Sequence, residues 1–153
     1  LFTITLTENI AVPAGVVWDV VTDLGAYPHW NTFVVACEST LNVGAPIIMQ
    51  VRLGASSPRR QTETILEHRP GELLSYGMRA PLRLLTSKRQ HRLIPVDPET
   101  TRYESLFELR GPLSPLVEAL LGANLKQGFS DMTQGIARRA ESLYQQRNPG
   151  QSG

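Results

Sequence analysis

A change of hydrophobic period near residue 111 constrains this chain more than any other feature. Before it, apolar side chains recur at every second position; after it, they recur at the spacing of one long helix. Phe2, Ile4, Leu6, Ile10 and Val12 share one parity, with Thr3, Thr5, Thr7 and Asn9 on the other, so residues 2–12 read as a half-buried strand. Pro13 then favours a helix start, and Val17, Val20, Val21 and Leu24 follow at helical spacing, predicting a short helix over 14–23. Gly25 ends it, and Tyr27-Pro28-His29-Trp30-Asn31 is a turn or a second short helix.

From 33 to 110 the period of two returns. It predicts strands near 33–41, 46–54, 59–69, 72–79, 85–96 and 100–110. Asn42-Val43-Gly44, Ser56-Ser57-Pro58, Pro70-Gly71 and Asp97-Pro98-Glu99 supply the turns, and links this short imply an antiparallel meander. In the last strand Tyr103, Ser105, Phe107 and Leu109 face one way, Arg102, Glu104, Glu108 and Arg110 the other. Ser114 then reads as an N-cap and Pro115 as the first helical residue. Leu121, Leu125, Phe129, Met132, Ile136, Ala140 and Leu143 form one stripe that carries the helix to about Tyr144. Such a helix needs a broad apolar partner, and the concave face of a seven-stranded sheet supplies it. The fold class is therefore α+β. A single domain spans 1–147, with a flexible polar tail at 148–153.

A size of 153 residues suits one core, and 41% hydrophobic with 19% charged residues marks a globular chain. No apolar run approaches the roughly 18 residues that span a bilayer. Leu1-Phe2-Thr3 lacks the layout of a signal peptide. With no Met at its head the sequence leaves a leader open. Cys37 is the only cysteine, so an internal disulfide and a CxxC zinc site are out, and a reducing, cytoplasmic setting is the natural reading. His29, His68 and His91 lie on separate elements without metal-binding spacing, and no Gly-rich phosphate loop is present, so neither metal nor cofactor is expected. The bases crowd into residues 52–110. There they alternate with acids, as in Arg102-Tyr103-Glu104, which favours solvated strand faces over nucleic acid.

A helix laid across a curled sheet touches it along a line. The space beside that line is filled by side chains or left open. Thr62, Thr64, Ser87 and Ser105 are modest in size at candidate lining positions. Gly128 and Gly135 sit seven apart beside the apolar stripe, and each costs about 1 kcal/mol against Ala. Close packing on the sheet or room for a ligand would offset that cost.

The segment Pro13-Ala14-Gly15-Val16-Val17-Trp18-Asp19-Val20-Val21-Thr22-Asp23, followed by Tyr27-Pro28-His29-Trp30-Asn31, resembles the opening of the SRPBCC superfamily of START-related, Bet v 1-like and polyketide cyclase/dehydrase-like proteins. His91-Arg92-Leu93-Ile94-Pro95, Gly111-Pro112-Leu113 and Gly128-Phe129 are similar to its cyclase-like branch. The resemblance implies the helix-grip fold, β-α-α-β6-α, and a deep cavity for lipids, polyketides or other apolar molecules. It does not fix an activity. In many cyclase-like members polar His and Glu residues occupy the strand that corresponds to 101–110. Here the inward positions are Ser105 and Phe107, which favours binding over catalysis.

The expected ligand wall comprises Trp30, Met49, Val51, Tyr76, Met78, Arg89, His91, Tyr103, Ser105, Phe107, Phe129 and Met132. Thioethers adapt to varied apolar shapes, and His91, Tyr76 and Tyr103 would orient the guest. Arg89, if inward, needs a carboxylate or an anionic ligand group to offset its burial. The alternative is a cyclase or dehydratase with His91 as base and Tyr76 or Tyr103 donating to a developing enolate. A third reading is a protein-interaction module with a filled interior. The expected partner is a small hydrophobic molecule, with no nucleic acid and no integral membrane segment, for a monomer or homodimer.

Overall fold

In a computed structural model, which describes residues 1–149, the chain forms a seven-stranded sheet around one long helix. The elements are β1 (Phe2–Ile10), α1 (Ala14–Thr22), a 3-10 turn (Leu24–Ala26), α2 (Tyr27–Trp30), β2 (Val34–Glu38), β3 (Pro46–Val51) and β4 (Arg59–Arg69). There follow β5 (Leu73–Arg79), a second 3-10 turn (Pro81–Arg83), β6 (Thr86–Asp97), β7 (Thr100–Arg110) and α3 (Ser114–Arg147). The expected tail over 148–153 falls mostly outside the described residues.

The sheet order is β1-β7-β6-β5-β4-β3-β2, antiparallel throughout. The predicted meander therefore holds, and β1 closes on β7. Register shifts at Val34/Ala36, Ile65/Glu67 and Pro95/Asp97 add local bends to the ordinary twist, so the sheet curls. The first meander strand is shorter than expected because Leu41 adopts a left-handed backbone, φ 63°, and takes the chain off the ladder.

The start of α3 also corrects the sequence reading. Leu113 occupies the N-cap position without a side-chain bond, while Ser114 is already helical and buried. A helical backbone at Leu113, φ −87° and ψ −5°, moves the first turn one residue earlier than the Ser-Pro signal suggested.

The helix does not lie centrally on the sheet. Its backbone approaches β1 and, over a shorter stretch, β7, and it packs against α1 on the same side. Gly128 lets the Phe33 ring close onto the helix, and Gly135 lets Trp30 approach to 3.0 Å from where a Cβ would stand. Both glycines therefore serve close packing, and the aromatic partners come from the α2–β2 segment. Asn31 sets that segment by accepting hydrogen bonds from the amides of Phe33 (3.0 Å) and Val34 (2.9 Å). Seated on β1 and pinned by two aromatic rings, the helix stands off from β3–β6, and the hollow forms there.

Candidate functional site

The hollow between α3 and the middle strands has a volume of about 470 Å³. That is the size range of small-molecule sites. Its walls are largely apolar, with Val34, Met49, Val51, Phe107, Leu109 and Phe129 among the lining residues. Leu53, Ser56 and Ser57 of the β3–β4 loop, with Leu121 and Asn124 of α3, surround its mouth.

Antiparallel pairing explains which side chains point in, because directly opposed residues share a face. Ile65, Tyr76, Arg89 and Phe107 make one cross-strand row. Met78, Ser87 and Leu109 make the next, nearer the mouth. Opposite β3, Met49 meets Gln61 and Ile47 meets Glu63. That register turns Gln61 and Glu63 inward and leaves Thr62 and Thr64 exposed, the reverse of the expected lining. The sequence of β4 is polar on both faces, so no period betrays its orientation; only its pairing with Ile47 and Met49 does.

A polar network lies behind the apolar wall. Arg89 is 4% exposed, and its Nη1 donates to Ser105 Oγ (2.6 Å), the Leu106 carbonyl (3.3 Å) and the Gln90 carbonyl (3.1 Å). Its Nη2 donates to the Tyr103 hydroxyl at 3.3 Å, and the guanidinium stacks 4.7 Å from the Phe129 ring centre. Burial works against this cation, but the oxygens of Tyr103 and Tyr76 outweigh it and Arg89 stays protonated. No carboxylate forms an ion pair with it among the described residues; the neutral acceptors and the ring do the satisfying.

His91 has no exposed surface. Its Nδ1 is 2.7 Å from the Tyr103 hydroxyl and its Nε2 is 3.1 Å from the Tyr76 hydroxyl. Burial, with the nearby Arg89 charge, holds its pKa well below the ordinary range, so the ring is neutral and uses one nitrogen as donor and one as acceptor. When Tyr103 donates to Nδ1 and Nε2–H donates to Tyr76, every link is satisfied and the Tyr76 hydrogen remains available. Tyr76 lines the cavity, and burial pushes its phenol well above the usual range, so it acts there as a neutral donor.

Glu63 is the residue that the sequence did not single out. It faces the cavity, and burial pushes its carboxyl up to about 7, with Arg89, Gln61 and Ser87 drawing it back. Gln61 is held in turn by a contact of its amide with Met78 Sδ, 3.2 Å.

Of the expected ligand wall, Met49, Val51, Tyr76, Met78, Arg89, Phe107 and Phe129 do border the hollow. His91, Tyr103 and Ser105 form the layer behind it, Met132 is sealed under α3, and Trp30 packs on Gly135 and Tyr27 away from it. His68 stacks on Trp18 and contacts the Leu41 carbonyl at 2.9 Å, and His29 is exposed. No group of three or more His, Cys, Asp or Glu residues able to hold a metal occurs among the described residues. Nor is any described helix long and apolar enough to cross a membrane.

Residues 2–141 match the family model described as polyketide cyclase/dehydrase and lipid transport. No curated protein matches the chain significantly. Among solved structures, the chain is similar to the Zhui aromatase/cyclase from Streptomyces sp. R1128, at 17% identity over 92% of this chain and 93% of that one, TM-score 0.73. A START superfamily protein from Mycobacterium smegmatis is 17% identical over 92% and 98%, TM-score 0.69. Norcoclaurine synthase from Thalictrum flavum, in complex with dopamine and hydroxybenzaldehyde, is 16% identical over 90% and 84%, TM-score 0.66. At these identities the structural likeness speaks for the fold alone.

Proposed function

The chain belongs to the polyketide cyclase/dehydrase and lipid transport family, and on that premise we propose that it binds a small, largely apolar molecule with one polar end. The observation that carries this reading is the open hollow of about 470 Å³, apolar on most sides, with Tyr76, Glu63, Ser87 and Arg89 gathered on one wall. Burying apolar ligand surface at about 25 cal/mol per Å² supplies affinity, and the polar wall fixes which end goes in. Tyr76 and Arg89 offer donors to a ligand carbonyl or phenolate oxygen. The interaction-module reading asked for a filled interior, and the hollow does not meet that condition.

Native mass spectrometry of freshly purified protein, followed by titration with the fluorescent probe anilinonaphthalene sulfonate, tests the reading. A co-purified or added apolar molecule should bind at one site and be excluded by Val51→Trp, which fills the hollow. Equal binding to Val51→Trp would count against it.

An enzymatic reading is favoured by Glu63. A carboxyl with a pKa near 7 on a cavity wall is suited to moving protons at neutral pH, whereas both nitrogens of His91 are occupied. In a β-hydroxy ketone, Glu63 carboxylate would take the α-proton while Arg89 and Tyr76 stabilise the enolate oxygen. The protonated Glu63 would then return that proton to the departing hydroxyl, giving an enone and water. With such a substrate, Glu63→Gln should abolish turnover and keep binding. The earlier assignment of the base to His91 makes the opposite prediction, loss in His91→Gln with Glu63→Gln active.

A further inference from the structure

The basic excess of residues 52–110 is not scattered once the chain is folded. Arg52, Arg59, Arg60, Arg79, Arg83 and Arg110 are all exposed and all sit at strand ends or turns. The register places those ends together: Val51 opposes Arg59, Arg79 opposes Thr86, and Thr86 opposes Arg110. This is the end of the sheet where the cavity opens. Acids nearby include Glu108, within 3.5 Å of Arg110, Glu118, and Asp131, which lines a small pocket together with Arg52. The far end carries the exposed acids Glu72, Asp97 and Glu99 in its turns, with the exposed Arg69 and Arg102 beside them.

Exposed leucines stand among these arginines. Leu82 is 90% exposed, Leu120 71% and Leu116 54%, with Leu84 and Leu113 also on the surface. The turn that bears Leu82 abuts the start of α3 through the Leu113 amide and the Leu84 carbonyl, 3.1 Å apart. Leu113, Leu116 and Leu120 follow at helical spacing on one face of α3, away from the wall formed by Val117, Leu121 and Leu125. Leu82 and Arg83 both hold left-handed backbones, φ 58° and 54°, which cost free energy for side chains of this kind. That cost holds a leucine out in water beside an arginine, where the interior gains nothing from it.

We propose that this end of the molecule docks on an anionic lipid bilayer. The leucines enter the headgroup–acyl boundary, and the arginines meet lipid phosphates and carboxylates. The apolar groups sit on two projections, a turn tip and a helix face. A bilayer accepts such projections without matching their shape. The cavity mouth would then face the membrane, although the docking itself does not depend on what fills the cavity.

The test is flotation of the whole chain with vesicles of phosphatidylcholine alone and of phosphatidylcholine mixed equally with phosphatidylglycerol. Binding should require the anionic lipid and weaken with salt. Arg79→Gln and Arg83→Gln should each weaken it about fivefold. Leu82→Ser with Leu120→Ser should weaken it about tenfold or more at unchanged melting temperature, because both residues are exposed. Equal binding to both vesicle types, or to neither, would overturn the proposal. So would binding to soluble polyglutamate that is lost in the arginine variants and indifferent to the leucine variants, which would assign the face to an acidic protein.

Discussion

Along α3, residues 114–127 and 128–147 have different surroundings. The first stretch buries only Ser114 and Gly122, exposes Leu116 and Leu120, and lends Val117, Leu121 and Leu125 to the cavity wall. The second buries Phe129, Met132, Thr133, Ile136, Ala137 and Ala140, and takes the rings of Phe33 and Trp30 against its glycines. One continuous helix thus serves as an anchor at its C-terminal end and as a roof edge at its N-terminal end. Stability concentrates in the first role and ligand access in the second, because packed side chains resist change and half-exposed ones do not.

The sharpest way to break this comparison is truncation in the anchor. Ile136→Ala leaves a void among fully buried neighbours and should cost about 2–5 kcal/mol in chemical denaturation. A smaller value would mean the anchor is loosely packed.

Next is the polar wall. Glu63 holds its proton up to about pH 7 in the fold, whereas a free chain releases it in the ordinary carboxylate range. The folded state therefore binds more protons over that interval, so stability is full at lower pH and falls as pH rises to about 7. The groups around Glu63 include Gln61 on its own strand, Cys37 on β2, Tyr76 on β5, and Ser87 and Arg89 on β6; Arg89 is the cation among them, and burial keeps the Tyr76 phenol and the Cys37 thiol neutral across this interval. Glu63→Gln should remove the slope and stabilise the protein at pH 8 by about 1–3 kcal/mol, read from denaturation at a series of pH values. An unchanged slope would place the titration elsewhere.

Tyr103→Phe leaves Arg89 and His91 each short of a partner and should cost about 1–3 kcal/mol, with the cavity still able to bind a probe. Loss of probe binding at full stability would move Tyr103 to the cavity surface. The smallest effect is expected at Leu121, 37% exposed at the mouth. Leu121→Ala should change stability by about 0.5 kcal/mol or less while speeding ligand release.

The elements were legible because each carries one clean period. Strand β7 alternates polar and apolar residues over most of its length, broken at Ser105-Leu106-Phe107, and the α3 stripe from Phe129 to Ala140 is buried as its spacing required. The site was legible only where it is apolar. Met49, Met78, Phe107 and Phe129 announce themselves as interior residues; Glu63 does not, since a glutamate flanked by threonines looks like a solvated face. Its orientation depends on its β3 partner Ile47, across the β3–β4 turn. His91 shows the converse. A histidine on an apolar parity signals chemistry, but parity cannot tell a cavity wall from the layer behind it. That depth is set by the tyrosines on the neighbouring strands.

The three methionines offer the most direct test of the hollow itself. Met49 and Met78 line it, while Met132 lies sealed beneath the anchor half of α3. With methyl groups labelled and 2-naphthol titrated in, the Met49 and Met78 signals should move together and saturate, and Met132 should stay in place. Signals that all stay put, or a Met132 that shifts as much as the other two, would contradict a guest held between the helix and the middle of the sheet.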